Sequence, residues 1–223
     1  MFGSLYKLLS FNKTNCVKKL CFNLEAVSRV HIHRMSSQLS SQNLVWMDLE
    51  MTGLDVDNDR ILEIACIVTD SQLNIIAKGP NVVINEPDTL LNAMNDWCKE
   101  HHAKSGLIEA VKKSPYTLEQ AEQQVLDFVK QYCPQRSCPM AGNSIYLDRL
   151  FVMKHMPTLN EYLHYRVIDV STVKELCKRW NRDVHGSGPP KMFAHRSLDD
   201  IEESIKEMKY YRETFFKTVE HTN

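Results

Sequence analysis

No apolar run in the chain approaches the roughly 20 residues needed to span a bilayer, so membrane-spanning roles are set aside. There is no Cys-x-x-Cys, and the seven cysteines (Cys16, Cys21, Cys66, Cys98, Cys133, Cys138 and Cys177) are odd in number. Cys133 and Cys138 have no His or Cys partner at finger spacing. Those absences speak against a disulfide framework and a structural zinc, and for reduced thiols. There is no internal repeat and no long linker, which leaves one domain rather than an array. Positive charge is also scarce where a nucleic-acid tracker would need it. Net charge is −1, yet residues 1–44 alone carry six Lys or Arg against one acid, Glu25. The rest of the chain is therefore acidic. It lacks the broad positive field that follows many phosphates.

What is present suffices for one ordinary domain: 223 residues, of which 43% are hydrophobic. The first 35 residues are basic, nearly free of acids and interspersed with Ser and Asn. No clean 7–15-residue apolar stretch marks a secretory signal, so the composition reads as a disordered mitochondrial targeting segment. A start at Met35 would give a product without it, for the cytoplasm or nucleus. Residues 36–42 form a polar Ser/Gln linker, 43–217 the domain and 218–223 a tail.

"NLVWMDLEMTG" alternates, with Val45, Met47, Leu49 and Met51 on one face. A turn-rich "GLDVDNDR" follows, then "ILEIACIVTD" as a second strand. "NIIAKGPNVVIN" reads as a third, broken at Gly79–Pro80. Short connections make these an antiparallel meander. Asp88 is placed to cap a helix carrying Leu90, Leu91, Met94 and Trp97. Thr117 with Gln120 makes a capping-box pattern ahead of Ala121, Val125, Phe128 and Val129. "CPMAG" is a short strand leading into "NSIYLDRLFVMKHM", a helix that Asn143 or Ser144 can cap. "YRVIDV" is a strand, "STVKELCKRW" a helix, "GSGPP" a loop and "SLDDIEESIKEMKYYRETFF" the last helix. The order β-β-β-α-α-β-α-β-α-α predicts an α/β domain with a mixed sheet. Its meander joins parallel strands through crossover helices.

Asp48 and Glu50 stand at i and i+2 on the first strand. Their side chains leave one face with Cα atoms roughly 6.5 Å apart. Two such carboxylates can clasp divalent cations on the order of 3.5–4 Å apart, the spacing of two-metal phosphoryl chemistry. A solvated face with two incidental acids explains the alternation equally well. Trp46 and Leu44 share the acidic face, which favours a sheltered site. Taken singly, Asp148 reads as an acid at a helix N-terminus, Asp200 as half of a capping box with Ser197, and His195 as a structural histidine. Taken together, four acids and a histidine make a set. The oxygens suit Mg²⁺ or Mn²⁺, and a histidine suits removal of a proton from water.

The chain resembles the oligoribonuclease family of the DEDDh 3′-to-5′ exonucleases, which share four acids and a histidine on a ribonuclease H-like fold. "WMDLEMTGLD" is similar to their first motif, "GNSIYLDRLF" to the second and "HRSLDDI" to the third, with His195 and Asp200 five apart. Trp97, His101, His102, Ser105, Gly106 and Leu107, with "HYRVIDVST", narrow the likeness to oligoribonucleases. Tyr146 and Leu147 depart from the small or polar residues of bacterial members. The resemblance implies a five-stranded mixed sheet flanked by helices. It implies two divalent cations per site, Mg²⁺ or Mn²⁺, held by Asp48, Glu50, Asp148 and Asp200, with His195 taking the water's proton. It implies that Leu54 and Trp97 wedge the two bases of a very short RNA, and that Ser144 and His102 meet its far phosphate. It implies a homodimer in which Tyr165 and Arg166 reach the neighbouring site. Two rival readings are an exonuclease for longer single-stranded RNA or DNA, which would want a basic groove, and a dead member serving as a scaffold, which would have lost an acid or the histidine.

Overall fold

The computed structural model describes residues 39–190 and 196–216. The targeting segment, the start at Met35, the tail 218–223 and His195 lie outside the described residues. Three strands open the domain: β1 (Leu44–Met51), β2 (Ile61–Thr69) and β3 (Ile75–Val83). They pair antiparallel in sequence order, the expected meander. The β2–β3 turn is closed by Asp70, whose carboxylate accepts from the N–H groups of Gln72 and Asn74, each at 2.8 Å. Asp is favoured in turns for this reason. Two short strands, β4 (Met140–Gly142) and β5 (Val167–Asp169), extend the sheet in parallel on the other side of β1. The strand order is β3-β2-β1-β4-β5, a mixed five-stranded sheet as expected.

Helices supply the crossovers that parallel neighbours require. They are α1 (Asp88–Ala93), α2 (Asp96–Lys104), α3 (Leu107–Lys113), α4 (Leu118–Tyr132), α5 (Ile145–His155), α6 (Pro157–Tyr162), α7 (Val170–Trp180), α8 (Arg182–Gly186) and α9 (Ser197–Thr214). The alternation of β1 sorts its side chains between two cores. Val45, Met47 and Leu49 pack with Val125 and Val129 of α4 and with Phe151 and Val152 of α5. Trp46 packs on the opposite face with Val170 and Cys177 of α7 and with Ile201 and Ile205 of α9. Each fully buried side chain of this size contributes about 1.5–3 kcal/mol, so a one-residue slip of β1 would forfeit both cores. Asp48 and Glu50 are in phase with Trp46, and that register aims them at α9.

Local chemistry explains where the elements differ from expectation. The helix over Asp88–Trp97 breaks in two. Met94 turns to φ −55°, ψ 153°, and Asn95 caps α2 by accepting from Cys98 N–H at 2.9 Å. Asn competes with helix in this way. Asp88 lies in the first turn of α1, behind Pro87 at the cap position. The long helix after β4 ends at His155 because Pro157 starts a new one, α6. A proline is tolerated at a first helical position but not in a helix interior. Gly79–Pro80 does not break β3. It makes a bulge, where pairing passes from Ala65–Asn81 to Ile67–Lys78. β3 is an edge strand, where a proline's missing N–H is tolerated. The capping box of Thr117 and Gln120 forms as expected. Part of the expected linker is also held on the domain: Ser40 N–H donates to Tyr132 O at 3.1 Å.

Candidate active site

Asp48 and Glu50 leave β1 on the face covered by α9, and Asp200 sits in the first turn of that helix. One carboxylate oxygen from each lies within 4.8 Å of the others. The expected capping box of Asp200 with Ser197 does not form. Arg196 holds the cap position without a side-chain cap bond, and Ser197 is buried inside the helix. The Ser197 hydroxyl faces Asp48 instead.

Asp148 comes from α5. Ser144 stands at the helix's cap position but makes no cap bond, so this expectation fails for both cap candidates. Its backbone is left-handed, φ 51° and ψ 29°, a conformation that costs a non-glycine residue on the order of 1–3 kcal/mol and persists when neighbours enforce it. Here the Ser144 N–H is held by Asp169 Oδ1 and Ser171 Oγ, both at 2.9 Å. The turn delivers Asp148 to β1, where its Oδ1 accepts from Leu49 N–H at 2.9 Å. Leu49 lies between the two acids of β1, so α5 is fastened at the centre of the site.

These carboxyls resist ionisation. Burial raises Asp48 well above the ordinary carboxylate range, and Asp148, Glu50 and Asp200 add to the effect, while Ser197 partly offsets it. Burial pushes Glu50 up to about 8, helped by Glu63, Asp200 and Asp148 and opposed by Arg196. Burial raises Asp148 to about 7, against the Leu49 hydrogen bond that lowers it. Crowded, partly desolvated carboxylates are what a divalent cation relieves. The donors are all oxygen, the hard set that Mg²⁺, Mn²⁺ and Ca²⁺ take. The residues present therefore fit divalent metal.

Of the remaining candidates, His102 reaches the cluster. His102 is 2% exposed. Its Nε2–H donates to Met51 O at 2.9 Å, and its Nδ1 stands 3.8 Å from Glu50 Oε2. This bond ties α2 to the end of β1. Trp97 opens α2, exposed and stacked on His101 with ring centroids 3.9 Å apart. Leu54, three residues beyond β1, is also exposed. Tyr165 and Arg166 lie between α6 and β5, the guanidinium 5.2 Å from the centre of the exposed Tyr165 ring. Two residues at the site escape sequence reasoning, Glu63 and Arg196. Glu63 is fully buried on β2 directly opposite Glu50, and its Oε1 accepts from Arg196 Nη2 at 3.0 Å. An acid inside "ILEIACIVTD" was the available signal.

The comparisons with known proteins agree with this geometry. A profile of the exonuclease family matches residues 45–208. The mitochondrial oligoribonuclease of Mus musculus is 54% identical over 196 residues, covering 88% of this chain and 83% of that protein. The oligoribonuclease of Chromobacterium violaceum is 53% identical over 177 residues, 79% of this chain and 97% of that protein. Among solved structures, the zinc-bound Escherichia coli exonuclease I complex with single-stranded DNA superposes with a TM-score of 0.62 at 14% identity. That match covers 78% of this chain but only 41% of the other, and it shows the ribonuclease H-like fold. A fold that gathers Asp48, Glu50 and Asp200 at one point, in a sequence more than half identical to those two oligoribonucleases over the aligned residues, places the chain in the oligoribonuclease family of exonucleases.

Proposed function

We propose that the protein hydrolyses very short oligoribonucleotides from the 3′ end, dinucleotides above all, releasing nucleoside 5′-monophosphates. The observation that carries this is the Asp48–Glu50–Asp200 cluster, with oxygens within 4.8 Å of one another and with Asp148 fastened beside it. Asp48, Glu50, Asp148 and Asp200 would hold two divalent ions, Mg²⁺ or Mn²⁺. When bound, such ions activate a water and stabilise the leaving oxygen in phosphoryl transfer. The chain's own residues do the rest. Asp148 is held against β1 by Leu49 N–H. The Ser197 hydroxyl favours the ionised form of Asp48. His195 takes the proton from the attacking water.

The preference for short RNA rests on charge. An acidic domain gains little from neutralising many phosphates. It must draw affinity from a few placed contacts. Leu54 and Trp97, both exposed, supply an apolar wedge and an aromatic face for two bases. Ser144 and His102 are assigned to the far phosphate. The exposed face of α5 supports a homodimer. Tyr146, Leu150 and Met153 follow helical spacing at 59%, 42% and 52% exposure, and a second copy would cover them. Tyr165 and Arg166 would then reach across to the neighbouring site. Residues 1–35 and the mitochondrial relatives support a mitochondrial location.

A length series of 5′-labelled RNA and DNA tests the reading. Two-residue RNA should be cleaved faster than a strand of about twenty, with binding nearly insensitive to salt. Preference for long strands would overturn it.

A further inference from the structure

We propose that Glu63 and Arg196 are a positioning pair that sets the spacing of the metal-holding acids. This deepens the function proposed above and rests on it. Glu63 faces Glu50 directly across the β1–β2 ladder. Residues so opposed leave the same face of the sheet with Cβ atoms about 4.5–5.5 Å apart. Glu63 thus lies against the acidic cluster, and by chemistry it is as good an oxygen ligand as Glu50. What separates the two is Arg196, whose Nη2 donates to Glu63 Oε1 at 3.0 Å.

Arg196 joins both halves of the site. Its side chain is bonded to β2 beside Glu50. Its carbonyl accepts from the N–H groups of Asp199 and Asp200 at 3.0 and 3.1 Å. The turn that presents Asp200 is therefore built on the residue that grips Glu50's neighbour. The Arg196–Glu63 bond fixes how far Asp200 stands from Glu50, and it engages one oxygen of Glu63 that would otherwise be open to a cation.

The pair is a poor choice for stability alone. Glu63 is 0% exposed. Among the described residues, its Oε2 and the Arg196 Nε have no hydrogen-bond partner. Glu63 is the buried member, since the Arg196 side chain is 36% exposed, and apolar residues of similar volume usually join two elements at least as well as a desolvated charge does. A buried, incompletely satisfied carboxylate next to an active site calls for a reason, and orientation of the ligand shell is one: outer partners hold metal ligands in place.

Calorimetric titration with Mn²⁺, without substrate, tests this on the full chain, alongside kcat and KM for two-residue RNA. The variants are Glu63→Gln, Arg196→Lys, and the apolar double Glu63→Leu with Arg196→Met. The double variant should melt near the parent temperature yet bind Mn²⁺ about 10- to 100-fold more weakly, the range for outer partners of metal ligands. Its kcat should fall while KM holds. Glu63→Gln should lose part of the affinity, and Arg196→Lys, which keeps the charge, should retain more than the double. Affinity within about twofold of the parent in both Glu63→Gln and the double, well below that range, overturns the proposal. Should the double fail to fold, Glu63→Gln decides, since it keeps size while removing the charge that draws Arg196 to β2. Asp48→Asn is the control. If it binds Mn²⁺ as the parent does, the metal-site reading itself fails; if it loses binding while the Glu63 variants do not, only the positioning pair fails.

Discussion

Stripped of metal by a chelator, the protein should lose stability as pH rises, and divalent cation should offset much of that loss. Glu50 sets the scale. Its carboxyl moves from an ordinary 4.5 to about 8 in the fold, by burial first and then by Glu63, Asp200 and Asp148. Asp148 moves the same way, from 3.8 to about 7. Between the unfolded and folded values, the native state holds more protons than the unfolded chain. Stability therefore falls as pH rises through that window. For Glu50 the extra stability is complete below 4.5 and gone above about 8. At about 1.36 kcal/mol per pH unit the span is worth roughly 5 kcal/mol. Glu50 and Asp148 share one crowded site and titrate as a group, for which about 3–5 kcal/mol is expected. Each kcal/mol shifts the melting temperature of such a domain by about 2–4 °C, so the chelated protein should melt about 10 °C lower at pH 8 than at pH 5. Scanning calorimetry across that range, with chelator and then with Mg²⁺, measures it. Metal binds the ionised acids, so its stabilisation should grow with pH, reaching about 2.7 kcal/mol at a hundredfold excess over Kd. Glu50→Gln should flatten the chelated profile. A melting temperature that is level or rising from pH 5 to 8 without metal, with Glu50→Gln no different from the parent, would refute the reasoning.

His195→Ala should leave Mn²⁺ affinity nearly intact and cut turnover by about 10²–10⁴-fold, the range for a general base; near-normal turnover removes His195 from the chemistry. Trp97→Ala and Leu54→Ala should raise KM for two-residue RNA, Trp97→Ala by about 5- to 100-fold on the basis of ~1–3 kcal/mol per stacked base, and steady-state kinetics with unchanged KM would discard the wedge. If the proposed homodimer forms through α5, the parent should sediment as a dimer in analytical ultracentrifugation and Tyr146→Lys combined with Leu150→Lys as a monomer; a monomeric parent discards that interface. Gly79→Val should destabilise the fold by about 1–3 kcal/mol through overpacking, because a Cβ there would stand 2.5 Å from the Phe128 ring and 2.9 Å from Cys66 O; a thermal melt equal to the parent's would show that the bulge gives way.

The meander was legible because β1 alternates, β2 is a short, mostly apolar run, and the turns between strands carry Asp, Asn and Gly. The acids were legible because a bare carboxylate is anomalous beside Trp46. The helix breaks at Met94–Asn95 and Met156–Pro157 were harder to read. There an apolar periodicity runs on past a local stop, and the stop wins only by a side-chain bond or a missing N–H. Tyr146, Leu150 and Met153 read as ordinary helix positions until the fold leaves them exposed.

By itself, the sequence determined which chemistry is available: two acids in phase on one strand, two more acids and a histidine in motifs of their own, and an acidic domain with little hold on long strands. Those follow from residue type and short-range period. Only the tertiary structure decided which groups meet. Asp148 finds Leu49 N–H from 99 residues away. Glu63 faces Glu50 because β1 and β2 pair in one register. Arg196 reaches Glu63 because α9 packs on that face. Carboxyl groups raised to about 7 and about 8 belong to the fold as well, since desolvation and crowding arise only when distant segments close over the same point.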